Sequence, residues 1–158
     1  MSQFAEYKKK AWWTSEPFYS HSKGYKLYLR LIPAGIGSGK GTHLSIYLYL
    51  TSGPHDNELS WPLRGGFCLK LLNQISDCEH YSKTKIFGDH TSGGRVNEGD
   101  RDISWGYSQY ISNEEFLKVT SKCQYLKDDC VFIQERMEAV NQQLRLGHPI
   151  QFHYTVTA

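Results

Sequence analysis

Between Tyr25 and Leu50, apolar residues recur at every second position in two runs, a period that commits this stretch to β structure. In the first run Tyr25, Leu27, Leu29 and Leu31 share one face, with Lys26, Tyr28, Arg30 and Ile32 on the other. In the second, Leu44, Ile46, Leu48 and Leu50 face one way, and His43, Ser45, Tyr47 and Tyr49 the other. Pro33 closes the first strand because it has no ladder donor. The joining segment, Ala34 to Thr42, is rich in glycine. The pair is therefore a hairpin with one buried face and one polar, aromatic face.

The same alternation returns along the chain. Pro17 to His21 reads as a short strand, Phe67 to Asn73 as a strong one, and His80 to Phe87 as a weaker one. Ile103 to Ile111 and Cys130 to Ile133 follow. Aromatic residues make up 14% of the chain, which suits half-buried pleated surfaces. Gly88 to Asp102 is a long polar loop of the kind that often carries function. Ser112-Asn113-Glu114-Glu115 has the form of a capping box and predicts a short helix of about two turns through Lys118. Ile133, Met137, Val140 and Leu144 stand at helical spacing and predict a C-terminal helix over 135–146, stopped by Gly147-His148-Pro149. Ile150 to Val156 alternates again. The adjacent Trp12 and Trp13 are expected to pack on the core. The expected fold is all-β: an antiparallel sandwich with one short helix, a helical tail and an extra C-terminal strand.

Several chemistries fit the sequence poorly. A phosphate loop needs Gly-x-x-x-x-Gly-Lys-[Ser/Thr] opening a helix. Gly39 and Lys40 fit, but Ala34 holds the first glycine's place, Gly41 holds that of Ser/Thr, and a period-two run follows. Nucleotide binding through Gly35–Thr42 is thus a distant alternative to a plain hairpin tip. Cys68, Cys78, Cys123 and Cys130 form no C-x-x-C, and no H-E-x-x-H is present, so no metal site is expected. No catalytic constellation emerges from the seven scattered histidines or from Asp128-Asp129, and no enzyme activity or cofactor is expected. A net charge of +2, with no basic run longer than Lys8-Lys9-Lys10, argues against nucleic acid. No apolar run approaches the roughly 20 residues of a membrane span. With no signal peptide and no glycosylation sequon, the expected location is cytoplasmic, with reduced thiols.

What remains is an aromatic face that spacing reads equally as a binding surface or as packing beneath a partly covered sandwich. Tyr28, Arg30, Tyr47 and Tyr49 share the polar face of adjacent strands, and Trp105 and Tyr107 follow the long loop. Tyr, Trp and Arg are the side chains that dominate interface energetics.

The residues Pro17-Phe18-Tyr19, Gly24-Tyr25-Lys26-Leu27, Gly39-Lys40-Gly41-Thr42-His43-Leu44-Ser45, Trp61-Pro62, Leu72-Asn73-Gln74, Trp105-Gly106-Tyr107 and Tyr125-Leu126-Lys127-Asp128-Asp129 occur in this order. Together they resemble the C-terminal TRAF domain, part of the wider MATH group, over about residues 4 to 133. The resemblance implies an eight-stranded antiparallel β-sandwich over 1–134, with 135–158 as a tail. It implies an adaptor that binds linear peptides, often from the tails of TNF-receptor-type proteins, by adding them as a strand to a sheet edge. Substrate recruitment in the ubiquitin pathway, as in other MATH domains, is the alternative.

Carried over position by position, Arg30 matches a basic residue that meets an acidic peptide side chain. Tyr47 matches an aromatic of the pocket floor and Phe87 an apolar pocket residue, and Ser92 belongs to what is left of a serine run, here Thr91-Ser92-Gly93-Gly94. Trp105, Gly106 and Tyr107 fall on the peptide-pairing edge strand. Ile32 and Ile36 stand where receptor-binding relatives have Tyr and Asp, and Trp105 is more like the ubiquitin-pathway domains. The resemblance places the family's first strand before Phe4, so Ile150–Val156 is expected to replace it beside Cys130–Ile133. The trimer that gives such adaptors avidity is not encoded here, since the stripe from Ile133 to Leu144 is too short for a coiled coil.

Overall fold

The computed structural model describes residues 12–86, 94–139, 145–146 and 150–153, the last three groups from 138 onward by their backbone alone. In chain order the strands are β1 (Trp13–Thr14), β2 (Phe18–Tyr19), β3 (Lys26–Ile32), β4 (His43–Thr51), β5 (Gly65–Leu71), β6 (Tyr81–Ile86) and β7 (Ile103–Ser112). The helix α1 (Asn113–Phe116) follows, then β8 (Cys130–Ala139), β9 (Arg145–Leu146) and β10 (Ile150–His153). They form two five-stranded antiparallel sheets. One runs β1-β3-β4-β7 with β2 also on β3; the other runs β10-β8-β5-β6 with β9 on β8.

The alternation along β3 and β4 does what its period predicts. Leu27, Leu29 and Leu31 meet Leu50, Leu48 and Ile46 in register. All six side chains are fully buried against Phe67, Leu69 and Leu71 of β5 and Val131, Ile133 and Met137 of β8. Each such side chain contributes about 1.5–3 kcal/mol on leaving water. This interior layer is what fixes the outward direction of Tyr28, Arg30, Tyr47 and Tyr49.

The glycine-rich tip between β3 and β4 is a turn. Gly35, Gly37 and Gly41 sit at positive φ (73°, 54° and 80°), and a short 3₁₀ turn over Gly37–Gly39 leads into β4 rather than into an α-helix. Gly39 is packed so closely that a Cβ would stand 1.8 Å from the Ser108 carbonyl oxygen. Those glycines serve a tight turn pressed onto β7.

The motifs spread along the chain are mostly turn chemistry too. Asn73 uses its whole amide. Its Nδ2 donates to the Ser76 hydroxyl and to the carbonyls of Cys78 and Lys122, and its Oδ1 accepts from the amides of Ile75 and Gln124. Gln74 Nε2 donates to the carbonyls of Tyr125 and Cys130. Asp128 and Asp129 both adopt positive φ in the turn before β8. Ser112 caps α1 by accepting from the Glu115 amide at 3.2 Å. The helix is shorter than its sequence suggests, ending at Phe116 rather than Lys118.

Two expectations about the ends come out differently. The helix expected from residue 135 is not formed over 135–139: β8 runs on to Ala139, pairing with β5 from Leu71↔Ile133 to Gly65↔Ala139. Ile133 and Met137 are four apart, a spacing that satisfies both a helix and a strand. The residue between them, Glu135, is 3% exposed and lies on the same inward face, which completes a period of two. Residues 140–144 lie outside the described residues. The expected pairing of the last segment is present over Ile150–His153, which runs antiparallel to β8 from Ile150↔Ile133 to His153↔Cys130.

Candidate functional site

The outer face of the first sheet carries a cross-strand row. β1 places Thr14 opposite Arg30, β4 places Tyr47 opposite Arg30, and β7 places Gly106 opposite Tyr47. The next row joins Tyr28, Tyr49 and Ser104. Neighbouring strands lie about 4.8 Å apart, so Arg30 is roughly 10 Å from the β7 edge.

Arg30 is held by aromatic faces. Its guanidinium carbon lies 4.8 Å from the Tyr49 ring centroid, 5.2 Å from Trp12 and 5.9 Å from Tyr28. Its Nε donates to Thr14 Oγ1 at 3.3 Å. Tyr28 and Tyr49 stack in parallel with centroids 4.9 Å apart, and the Tyr28 hydroxyl donates to Asp102 Oδ2 at 2.6 Å. Burial raises the Tyr28 pKa, and the Asp102 carboxylate raises it further by favouring the protonated donor. Among the described residues the ion pair present is Lys118–Glu115, so Arg30 faces the surface without a carboxylate. A guanidinium fixed between rings, with no ion pair among the described residues, is prepared to take an anion in a fork geometry.

Tyr47 leans over Gly106. A Cβ at Gly106 would stand 2.8 Å from Tyr47 Cδ1, and closer still to the β4 backbone. Burial raises the Tyr47 pKa and the Tyr49 hydroxyl adds to it, while a hydrogen bond with Ser108 works the other way. Beyond Gly106 the ladder slips: Ile46 pairs with Tyr107 but Leu44 with Ile111, so β7 bulges between them. Ser45 reaches into that bulge, donating to the Ser108 carbonyl at 2.7 Å, and Ser108 also meets Ser38 of the hairpin tip at 2.9 Å.

The structure divides the residues expected at the site. Arg30, Ile32, Tyr47 and Gly106 come together on the outer face, with Ile32 only 6% exposed. Trp105 does not join them. It pairs with Leu48, whose side chain points inward, and is 7% exposed within the core. Its side chain is structural. Tyr107 likewise points between the sheets, where its hydroxyl donates to the Thr84 carbonyl at 2.6 Å. Phe87 and Ser92 lie outside the described residues. Trp12, expected on the core, is instead exposed beside Arg30, and with Thr14, Asp102 and Ser108 it belongs to the surface. Their places follow from pairing across distant segments.

β7 is the end strand of its sheet. It therefore offers backbone groups along one side, with Gly106 at the point where Tyr47 and Arg30 stand beside it.

The sequence pattern of the MATH domain family matches residues 1–137. The chain is 36% identical to mouse TNF receptor-associated factor 5 over 119 residues, 75% of this chain and 21% of that protein. It is 47% identical to mouse TNF receptor-associated factor 1 over 119 residues, 75% of this chain and 28% of that protein. Against human TNF receptor-associated factor 2 the identity is 33%, over 75% of this chain and 23% of that protein. The chain thus spans about a quarter of the length of these relatives. A solved structure of Notothenia coriiceps TRAF5 superposes with a TM-score of 0.78 at 26% identity, covering 90% of this chain and 72% of that one.

Proposed function

This chain belongs to the MATH domain family, and from that premise we propose that it is a non-catalytic adaptor domain that binds short extended peptides at the β7 edge. The observation that carries the reading is the row Arg30–Tyr47–Gly106, which ends at β7, the end strand of its sheet among the described residues. An extended peptide laid along β7 gains backbone hydrogen bonds from the strand, and its alternate side chains fall over Tyr47 and toward Arg30. Arg30 selects a carboxylate, because it is held by three rings and has no ion-paired acid among the described residues. Gly106 itself adds no side chain at this point of the edge.

The relatives are named for association with TNF receptors. The partners proposed here are accordingly receptor cytoplasmic tails or signalling proteins carrying such a segment, met in the cytoplasm. No helix among the described residues is long and apolar enough to cross a membrane.

The test is a peptide-array screen followed by fluorescence polarisation on the best binders. Arg30→Ala is expected to weaken acidic peptides by about tenfold or more, the equivalent of about 1.4 kcal/mol or more, with an unchanged melting temperature. Tyr47→Ala should weaken all binders. Equal affinities for the wild type and both variants would remove the site from this face.

A further inference from the structure

β6 and β7 are the end strands of the two sheets, and the side chains of β6 reach across to the β7 backbone. Tyr81 Oη donates to the Tyr110 carbonyl at 2.7 Å, Lys83 Nζ to the Gln109 carbonyl at 2.8 Å, and Lys85 Nζ to the Gly106 carbonyl at 2.6 Å. The lysines also lie over tyrosines: Lys85 is 4.9 Å from the Tyr107 ring centroid, and Lys83 is 5.3 Å from Tyr107 and 5.9 Å from Tyr81. Neither lysine has a carboxylate partner among the described residues. Their ammonium groups rest on neutral carbonyls and ring faces.

The Gly106 carbonyl is the acceptor that an added strand must use, and Lys85 already occupies it. The geometry points to a closed edge that is opened by the charge of the ligand: the peptide carries an acidic side chain facing β6, which draws Lys85 off Gly106. This rests on the peptide-binding reading above and sharpens it, because the acid in question is a different one from that met by Arg30. A carboxylate is the stronger acceptor for an ammonium, since both partners are then charged. The exchange frees the carbonyl for the peptide amide. Inward-pointing lysine on an end strand also guards the edge against pairing with neutral strands.

The spacing fixes the sequence class. Lys83 and Lys85 are alternate residues of β6 and share its inward side, whereas Ser82, Thr84 and Ile86 are exposed. Alternate residues of any extended chain are about 6.6 Å apart. A ligand strand running alongside therefore presents two acids separated by one residue, one to each lysine. The ligand class is an extended peptide segment with an acidic-x-acidic core.

The experiment uses two short degenerate peptide libraries, one with Glu-x-Glu and one with Gln-x-Gln fixed at the centre. Both are measured by fluorescence polarisation against the wild type, Lys85→Met and Arg30→Ala. Methionine keeps the aliphatic stem of Lys85 over Tyr107 and removes the charge. The wild type should prefer Glu-x-Glu by about tenfold. In Lys85→Met the preference should fall to about threefold, the share left with Lys83, with the Gln-x-Gln library bound at least as tightly as by the wild type, because the carbonyl is now free. Arg30→Ala should keep a preference at the Lys85 side. If Lys85→Met retains the full preference, or loses both libraries alike with its fold intact, the inference is wrong while the peptide-binding reading stands. If neither library binds the wild type, both readings fall together.

Discussion

Substituting Gly106 by alanine puts one methyl group where β7 lies tightly against β4. Built on the backbone, that Cβ would lie 2.1 Å from the Ile46 carbonyl oxygen, 2.7 Å from Tyr47 Cα and 2.8 Å from Tyr47 Cδ1. The first two are backbone atoms of the paired strand, so no change of rotamer clears them. Ordinary contact begins near 3.4 Å, and β7 must therefore move off β4 locally by about an ångström. Overpacking of this kind costs about 1–3 kcal/mol, and each flanking ladder hydrogen bond that lengthens gives up some of its roughly 1 kcal/mol. The expected loss is about 2–4 kcal/mol, a large share of the 5–15 kcal/mol typical of a domain. Urea unfolding followed by tryptophan fluorescence measures it. Two glycines serve as controls. Gly41 has nothing within 4 Å of its would-be Cβ but sits at φ +80°, so Gly41→Ala should cost only the left-handed strain of about 1–2 kcal/mol. Gly94 has open space and no positive φ, so Gly94→Ala should stay within about 0.5 kcal/mol of wild type. If Gly106→Ala is as mild as Gly94→Ala, the close pairing of β7 with β4 is wrong, and with it the row that defines the site.

The adjacent tryptophans should separate sharply: Trp13→Ala, at a residue 8% exposed, costs about 3–5 kcal/mol, and Trp12→Ala, at one 53% exposed, under about 1 kcal/mol while loosening Arg30. Equal losses in thermal denaturation would overturn the inward and outward assignment. Alkali should destabilise the domain, because burial above all holds the Tyr110 pKa well above its ordinary 10.0, and Tyr28, Tyr47, Tyr107 and Tyr125 are raised as well. Below pH 10 the folded and unfolded chains are both protonated and the stability is fully present. Above it the unfolded chain ionises first, and Tyr110 alone removes up to about 1.4 kcal/mol per pH unit. Urea midpoints that stay level from pH 9 to 11 would contradict this. Tyr110→Phe should flatten the slope while losing the 2.8 Å bond to the Leu69 carbonyl.

The sequence displays the sandwich because its central strands obey a strict period, but it hides whatever depends on register. β3 and β4 are visible in the alternation of leucines from Leu27 to Leu50. β1 is not, since two residues carry no period and its membership of the sheet comes from Trp13↔Leu31 and Thr14↔Arg30. The continuation of β8 is masked by Glu135, a charged residue on the inward face, which breaks the apolar alternation that would have announced a strand. Arg30 and Tyr47 can be picked out as exposed and interactive. Their alignment with Gly106 is a fact about three paired strands. The inward turn of Trp105 is equally a matter of partner: its own alternation puts it on a face with Tyr107, and only its position opposite Leu48 says that this face is the buried one. The lysines of β6 look like ordinary solvated charges until β7 is placed beside them.

The pairing of β4 with β7, rather than with a strand nearer in sequence, has a consequence in time. β3 and β4 zip locally from Ile32↔Ser45, but the strand that covers the other side of β4 begins only at Ile103. At the usual pace of synthesis, about 5–20 residues per second, the nascent hairpin waits several seconds with one edge unpaired and its leucine face uncovered. Pairing across so long a loop also makes folding slow once the chain is free. During that interval the hairpin is a natural point of capture for chaperones, and the moment β7 docks is the moment at which both the sheet and its β7 edge come into existence.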